Sequence, residues 1–226
     1  SALIAALKAL GVSRGDEVIT QSHTFIATVE AIVEAGAIPV ITDIDASLNM
    51  DPSDLKRKIS DKTRAIIPVH MMGVAASMNE IMKIARSRGI PILEDNAQSC
   101  GGTYQEKMLG TLGDTGITSF DFGKVLTTGE GGMVITDREA IFKRAQEYSD
   151  HGHELNPAFP RGEDTRSMSG VNFKMTELQG AIGLAQLKKM DYIISRQREN
   201  KNKIRELLSD ISQIEFRDIP NPEGDT

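Results

Sequence analysis

The sequence has little of several features that mark particular classes of protein. Its 226 residues include one cysteine, Cys100, so an internal disulfide framework is excluded and a reducing compartment such as the cytoplasm is expected. No apolar run reaches the roughly 18 residues that predict a membrane-spanning helix. The opening stretch SALIAALKALG lacks the basic start of a signal peptide and predicts a buried helix. No long basic run is present and the formal net charge is −6, which argues against nucleic-acid binding.

The composition that remains is that of an ordinary globular protein. Hydrophobic residues make up 39% and charged residues 26% of a chain long enough to bury a sizeable core. Both ends are unusual, because the chain opens in a helical pattern without a capping residue and stops soon after an apparent strand at 214–219. We therefore expect further residues before Ser1 and after Thr226.

Strand-like and helix-like segments alternate along most of the chain. Such alternation at short intervals predicts an α/β fold with a mostly parallel, doubly wound sheet. Strands are predicted at 17–20, 38–44, 65–70, 90–95 and 131–136. Helices are predicted at 2–10, 25–36, 53–60, 77–89, 138–149, 176–190 and 191–208, with a loop at 150–170.

Polar residues follow several of the predicted strands, at the edge where parallel sheets bind ligands. Asp95 follows an unbroken apolar strand, so its carboxyl group is expected at the rim of the sheet. A helix cap or a turn residue is the alternative explanation. Gln98, one helical turn later, could share a ligand with Asp95, whereas His70 is interpreted as a hydrogen-bonded rim histidine and not as a catalyst.

Several common kinds of site are absent from the sequence. His23, His151 and His153 do not have the spacing of metal ligands, and Cys100 has no partner cysteine, so no metal is expected. The chain also lacks a Gly-x-Ser-x-Gly turn and a Walker-type phosphate loop, which argues against hydrolases and NTPases.

Lys124 has unusual neighbours for a lysine. It lies in TSFDFGKVLTTGEGGMVIT, among apolar and small residues and just before a glycine-rich turn. Burial lowers the pKa of a lysine amine and leaves it nucleophilic towards carbonyl groups, as a Schiff base with pyridoxal phosphate (PLP) requires. PLP also needs a carboxylate on its ring nitrogen, a flat group over its ring and a phosphate site. Asp95 could supply the carboxylate and Phe25 the flat group. Ser119 and the amides of the first helix could supply the phosphate site.

The motifs together resemble one known family. In order they are GDEVITQSHTFIATVEAIVEAGAIPVITDID, IIPVHMMG, ILEDNAQS, GTLGDTGITSFDFGKVLTTGEGGMVIT and GVNFKMTELQGAIGLAQL. They are similar to the sugar aminotransferases of the DegT/DnrJ/EryC1/StrS family, PLP-dependent enzymes of fold type I. The resemblance implies a mostly parallel seven-stranded sheet sandwiched by helices. It also implies a large PLP-binding domain at 1–190, then a linking helix and the truncated start of a small C-terminal domain at 191–226.

The resemblance assigns a role to each matching residue. It implies that Lys124 forms the internal aldimine, that Ser119 binds the phosphate, and that Asp95 pairs with the pyridinium nitrogen. Gln98 would approach the 3-hydroxyl of the cofactor, and Phe25 would stack on its ring.

The same resemblance implies a homodimer with shared active sites. Asn172 matches the asparagine that reaches the phosphate of the partner subunit's cofactor. Ser1 and Ala2 would be the remnant of the family's phosphate loop, which is otherwise missing from the chain.

The activity implied is transfer of an amino group from an amino acid, L-glutamate by expectation, to a keto sugar through a pyridoxamine intermediate. Such sugars serve cell-surface polysaccharide and lipopolysaccharide biosynthesis. The acceptor is either a nucleotide-linked keto sugar or an eight-carbon octulosonate. In the second case its carboxylate would be bound by four residues of the 150–170 loop, His151, His153, Arg161 and Arg166. The alternative explanation is that this loop is simply solvated.

Two alternatives remain open. Some family members carry histidine in place of this lysine and act as dehydratases, so Lys124 favours transamination over a dehydratase or lyase. A non-catalytic PLP-binding regulator is the other alternative.

Overall fold

Strands and helices alternate as the sequence predicts. The computed structural model describes all residues, 1–226. The helices are α1 (Ala2–Ala9), α2 (Ile26–Glu34), α3 (Pro52–Lys58), α4 (Met78–Arg88), α5 (Glu139–Ser149), α6 (Glu177–Leu187) and α7 (Met190–Leu208). The strands are β1 (Glu17–Gln21), β2 (Ile38–Thr42), β3 (Thr63–Ile67), β4 (Leu93–Asp95), β5 (Thr103–Tyr104), β6 (Lys107–Met108), β7 (Thr115–Ser119) and β8 (Gly132–Ile135). None of the helices combines the length and apolar character needed to cross a membrane.

The main sheet is mostly parallel, which confirms the predicted α/β class. β2, β1 and β3 pair in parallel in that order, and β4, β7 and β8 form a second group in which only β8 is antiparallel. Isolated parallel bridges, Ile66 to Ile92 and Val69 to Asp95, join the two groups through β3 and β4. Six strands of this chain therefore form the sheet, and β5 and β6 form a separate hairpin.

Helices cover both faces of the sheet, because successive strand residues point to opposite faces. Val18 and Ile67 pack with α1 and α2 on one face, whereas Ile19 and Ile66 pack with α3 and α4 on the other. All four side chains are fully buried. Burial of each such aliphatic side chain contributes about 1.5–3 kcal/mol, so this packing fixes where the strand ends lie.

The prediction of a strand at 214–219 is wrong. The segment after α7 has no strand partner and is held by single backbone hydrogen bonds, such as that from the Asp218 N–H to the Ala46 carbonyl at 3.0 Å, and by side chains. The Arg205 guanidinium lies 4.5 Å from the centre of the Phe216 ring, and Arg217 donates hydrogen bonds to Met71 and Met72. Alternation of apolar and polar residues in this segment therefore serves to anchor a loop on neighbouring elements.

The buried carboxylate of Glu94 ties the centre of the sheet to the loop before β7. Its Oε2 lies 3.0 Å from His70 Nε2 and accepts a hydrogen bond from Gly110 N at 2.9 Å. Its Oε1 accepts from Leu112 N at 2.6 Å and Gly113 N at 2.7 Å. Burial by itself would raise the pKa of Glu94, but His70 and the backbone N–H groups outweigh it and hold the pKa below its usual range.

His70 is hydrogen-bonded, as interpreted from the sequence, and it is fully buried. Its Nδ1 accepts from Ala76 N at 3.1 Å, so Nε2 carries the hydrogen that is donated to Glu94. Its backbone N–H donates to the Asp95 carbonyl at 3.1 Å, and its carbonyl accepts from the Ser99 hydroxyl. His70 and Glu94 together therefore hold Asp95 in place.

Glu94→Gln should destabilise the protein by about 3 kcal/mol, because the amide cannot accept four buried hydrogen bonds. Urea denaturation measures the change in the free energy of unfolding. The matched control is Glu139→Gln, which removes an exposed ion pair with Lys143 and should leave that free energy unchanged. A loss below about 1 kcal/mol in Glu94→Gln would contradict the central role of this carboxylate.

Candidate active site

A cavity of about 500 Å³ lies at the carboxyl edge of the sheet. The fold brings to it seven of the eight residues that the sequence analysis assigned to a cofactor. These are Ser1, Ala2, Phe25, Asp95, Gln98, Ser119 and Lys124.

The sheet topology explains this convergence. Asp95 ends β4 and Ser119 ends β7, and the two strands are parallel neighbours. β8 runs the other way, so its first residue, Gly132, pairs with Ser119 at the same edge. Phe25 lies at the N-cap of α2, directly after the loop that follows β1.

Asp95 is a buried carboxyl group with few partners. It is 3% exposed, its Oδ2 accepts from Thr28 Oγ1 at 2.8 Å, and its Oδ1 accepts from Ala97 N at 3.1 Å. Burial raises the pKa of Asp95, and the hydrogen bonds from Thr28 and Ala97 oppose the rise only in part. A ligand that offered a cationic N–H group here would therefore be bound strongly.

Thr28 is a residue of the site that the sequence did not predict. Thr28 is 1% exposed, and its hydroxyl also lies 2.8 Å from Thr24 Oγ1, so two threonines one helical turn apart lead to Asp95. Their i, i+4 spacing at the start of α2 was a visible signal. It became meaningful only when β4 placed Asp95 beside that helix.

One end of the cavity suits an anion. Ser1, Ala2 and Leu3 line it at the start of α1, where the first backbone N–H groups of a helix have no intrahelical acceptor. Ser119 lines the same cavity, and its Oγ accepts from Asp121 N at 3.3 Å, which leaves its hydroxyl hydrogen free to donate. This combination is suited to a phosphate group.

Lys124 lies on the wall of the cavity in a tight turn, in which its N–H donates to the Asp121 carbonyl at 3.0 Å. It is half-buried and also lines a second cavity of about 530 Å³, which Gln98 shares. Gly131 lines the same cavity with a φ of 156°, and a Cβ there would lie 2.7 Å from Thr128 Oγ1. The glycine therefore lets the backbone form the cavity wall beside the lysine.

Asn172 lies outside this cavity. It is exposed and forms an isolated bridge with Asp150, and its Oδ1 accepts from Lys174 N at 3.4 Å. Its predicted contact with a partner subunit's cofactor therefore has no counterpart within one subunit.

The four residues predicted to bind a substrate carboxylate also lie outside the cavity. Arg161 forms an ion pair with Asp150 at 2.5 Å. His153 is buried. Its Nδ1 lies 3.6 Å from Asp164 Oδ2, and its Nε2 lies 3.3 Å from Arg166 Nη2.

His151 is exposed at the start of this loop, with a φ of 57°. The pKa of Asp150 is lowered, mainly by the hydrogen bond from Lys174 and further by the charge of Arg161. Burial opposes this shift in part. The charges of the loop are thus largely paired with one another.

Comparison with known proteins identifies the family. The model of the DegT/DnrJ/EryC1/StrS aminotransferase family matches residues 1–224, and the chain belongs to this family. GDP-perosamine synthase of Escherichia coli O157:H7 is 38% identical over 96% of this chain and 59% of that enzyme. The spore coat polysaccharide biosynthesis protein SpsC of Bacillus subtilis is 38% identical over 97% of this chain and 56% of that protein.

A solved structure has the same fold. The E. coli GDP-4-keto-6-deoxy-D-mannose-3-dehydratase with bound hydrated PLP superposes with a TM-score of 0.88 at 30% identity. The match covers 97% of this chain and 61% of the dehydratase. The chain thus spans between 56% and 61% of the length of these three relatives.

Asp95→Asn should raise the melting temperature of the ligand-free protein at pH 7. Because the folded-state pKa is raised, the stabilisation from protonated Asp95 is complete below the unfolded-state pKa of about 3.9. It is lost as the pH rises through the folded-state pKa. Asparagine is neutral throughout, and it can accept from Ala97 while donating to Thr28.

Scanning calorimetry between about pH 4 and pH 8 measures the difference. We expect wild type and variant to converge at the acid end, where Asp95 is protonated, which makes the acid end an internal control. A variant that melts below wild type at every pH would refute the cost assigned to this carboxyl group.

Proposed function

We propose that the protein is a PLP-dependent aminotransferase that moves an amino group from an amino acid, expected to be L-glutamate, to a keto sugar. One observation carries the proposal. A lysine amine, a buried carboxyl group, an aromatic ring and a helix N-terminus line the same cavity.

The lining residues fit the functional groups of this cofactor. Asp95 would accept the pyridinium N–H, a cationic donor that offsets the cost of burying its carboxylate. The first turn of α1 and Ser119 would bind the phosphate, and Phe25 would cover one face of the ring. Lys124 would bind the aldehyde carbon.

PLP, when bound, supplies an electron sink that stabilises negative charge on the substrate carbon beside the amine. Asp95 would hold the proton on the ring nitrogen and so keep the ring electron-poor. Lys124 would carry the proton between the substrate carbon and the cofactor. Gln98 would donate a hydrogen bond to the 3-oxygen of the ring.

We propose a nucleotide-linked keto sugar as the acceptor, for the synthesis of cell-surface polysaccharide. The names of two relatives, GDP-perosamine synthase and a spore coat polysaccharide biosynthesis protein, support this choice. An octulosonate acceptor would need a cation for its carboxylate, yet Arg161 is already paired with Asp150 and His153 is buried.

A homodimer with shared active sites is part of the proposal. α6 has no buried residue although it is largely apolar, and Leu178 and Leu184 are 78% and 67% exposed. Phe122, beside the cavity, is 81% exposed. Large apolar side chains exposed in this way are typical of interfaces between subunits. A second copy over this surface could bring its Asn172 to the phosphate end of the cavity.

A dehydratase is the second candidate, because one structural relative carries that name. In this family a histidine in place of the lysine accompanies dehydration, so Lys124 favours transamination. A non-catalytic PLP-binding regulator is a third candidate, and it would bind the cofactor without reacting with an amino donor.

Lys124→Ala should abolish the visible absorption of bound PLP, a band near about 410–430 nm, because no amine would remain to bind the aldehyde. In wild type, L-glutamate should bleach the band, and the correct keto sugar should restore it. Lys8→Ala, which changes a lysine on the far end of α1, is the matched control and should keep the band. A band that survives in Lys124→Ala would refute the role of this lysine, and a wild-type band that no amino acid bleaches would favour the dehydratase or the regulator.

Asn172→Ala should weaken PLP binding, and mixing it with Lys124→Ala tests whether sites are shared. If Asn172 acts on the partner's cofactor, each mixed dimer has one doubly defective site and one intact site. After free exchange of subunits, about one quarter of all sites should then bind PLP with wild-type affinity in a fluorescence titration. Recovery of no intact sites would mean that Asn172 acts within its own subunit, and unchanged PLP affinity in Asn172→Ala alone would mean that it does not act on the cofactor.

A further inference from the structure

The 3₁₀ turn at Met71–Gly73 contains a strained residue. Met72 has φ 50° and ψ 47°, a left-handed conformation that residues with a bulky side chain rarely adopt. Its side chain is 67% exposed, so burial of the side chain does not explain the conformation. Strained backbone of this kind persists only where other contacts hold it.

The C-terminal segment provides those contacts. Arg217 donates from Nη2 to the Met71 carbonyl at 2.8 Å and to the Met72 carbonyl at 3.1 Å. The Thr226 N–H donates to the Gly73 carbonyl at 3.0 Å. All three carbonyls of the turn are thus bound by residues about 145 to 153 positions further along the chain.

The strained turn in turn orients Gln98. The Met72 N–H donates to Gln98 Oε1 at 3.2 Å. A backbone N–H can only donate, so the amide oxygen of Gln98 must face Met72, and its NH₂ group is left to donate elsewhere. Gln98 lines both the cavity and the adjoining one, which is where that NH₂ group can meet a ligand.

We propose that Arg217 is a positioning residue for Gln98. Its guanidinium holds the Met71–Gly73 turn in the left-handed form, and the Met72 N–H then fixes the amide of Gln98 with its NH₂ group available to the cofactor. This inference rests on the proposed function for the identity of the ligand. The geometry of the relay from Arg217 through Met72 to Gln98 does not depend on that identity.

Arginine is suited to this task for a physical reason. The guanidinium is planar and carries several N–H donors in a fixed arrangement, so it can bind two successive carbonyls that converge on it. Arg217 is half-buried there. A lysine could donate to the same carbonyls, but its flexible stem would fix them less firmly.

The first measurement is hydrogen exchange at the Met72 amide in the PLP-free protein. We expect exchange to accelerate roughly tenfold in Arg217→Ala and in Gln98→Ala, and by less in Arg217→Lys. Arg205→Ala is the matched control, because it removes the contact with Phe216 in the same segment but does not touch the turn. It should leave exchange at Met72 unchanged.

The second measurement is PLP affinity in a double-mutant cycle. Arg217→Ala should weaken binding by about fivefold in the wild-type background and by nothing further in Gln98→Ala, because the two changes act through one hydrogen bond. Gln98→Glu, which keeps an acceptor for Met72 but loses the NH₂ donor, should weaken binding without accelerating exchange at Met72.

The outcomes distinguish the relay from Arg217 to Gln98, the positioning role of Arg217 in cofactor binding, and the proposed function. Unchanged exchange in Arg217→Ala and Arg217→Lys would overturn the relay, whether or not PLP binds. Accelerated exchange with unchanged PLP affinity, or an effect of Arg217→Ala that persists in Gln98→Ala, would overturn the positioning role. Absence of PLP binding in wild type would refute the proposed function, and exchange alone would then decide the relay.

Discussion

The structure depends above all on one buried carboxylate. Glu94 accepts hydrogen bonds from His70 and from three backbone N–H groups of the loop that leads into β7. An unpaired charge at this depth would cost several kcal/mol, so the loop and β3 are both held to β4. The edge of the sheet that carries the cavity is fixed as a result.

Glu94 and Asp95 show how adjacent residues of one strand acquire opposite properties. Their side chains point to opposite faces of the sheet. Glu94 meets four donors and its pKa is lowered, whereas Asp95 meets the Thr28 hydroxyl and one N–H, and burial raises its pKa. The first carboxyl group has a structural role, and the second is left with the capacity to bind a ligand. Neighbouring acids with divergent environments are characteristic of active sites.

Much of the fold and the site could be predicted from local patterns. Alternating strands and helices, and the residues at the strand ends, follow from the periodicity of apolar side chains. The strand β7 was not predicted because TGITS has few large apolar residues. Position 116 requires glycine, because a Cβ there would lie 2.2 Å from the Gly110 carbonyl oxygen. The strand predicted at 214–219 failed for the converse reason, because its alternation has no neighbouring strand to pair with.

The sequence by itself determined the α/β class, the family and seven of the residues that line the cavity, because each depends on residues close together in the chain or on recognisable motifs. Only the tertiary structure decided which groups support them. Thr28 reaches Asp95 across 67 positions and Arg217 reaches Met72 across 145. Such contacts depend on which buried donors and carbonyls the folded backbone leaves without partners, and that is settled only when the whole chain has packed.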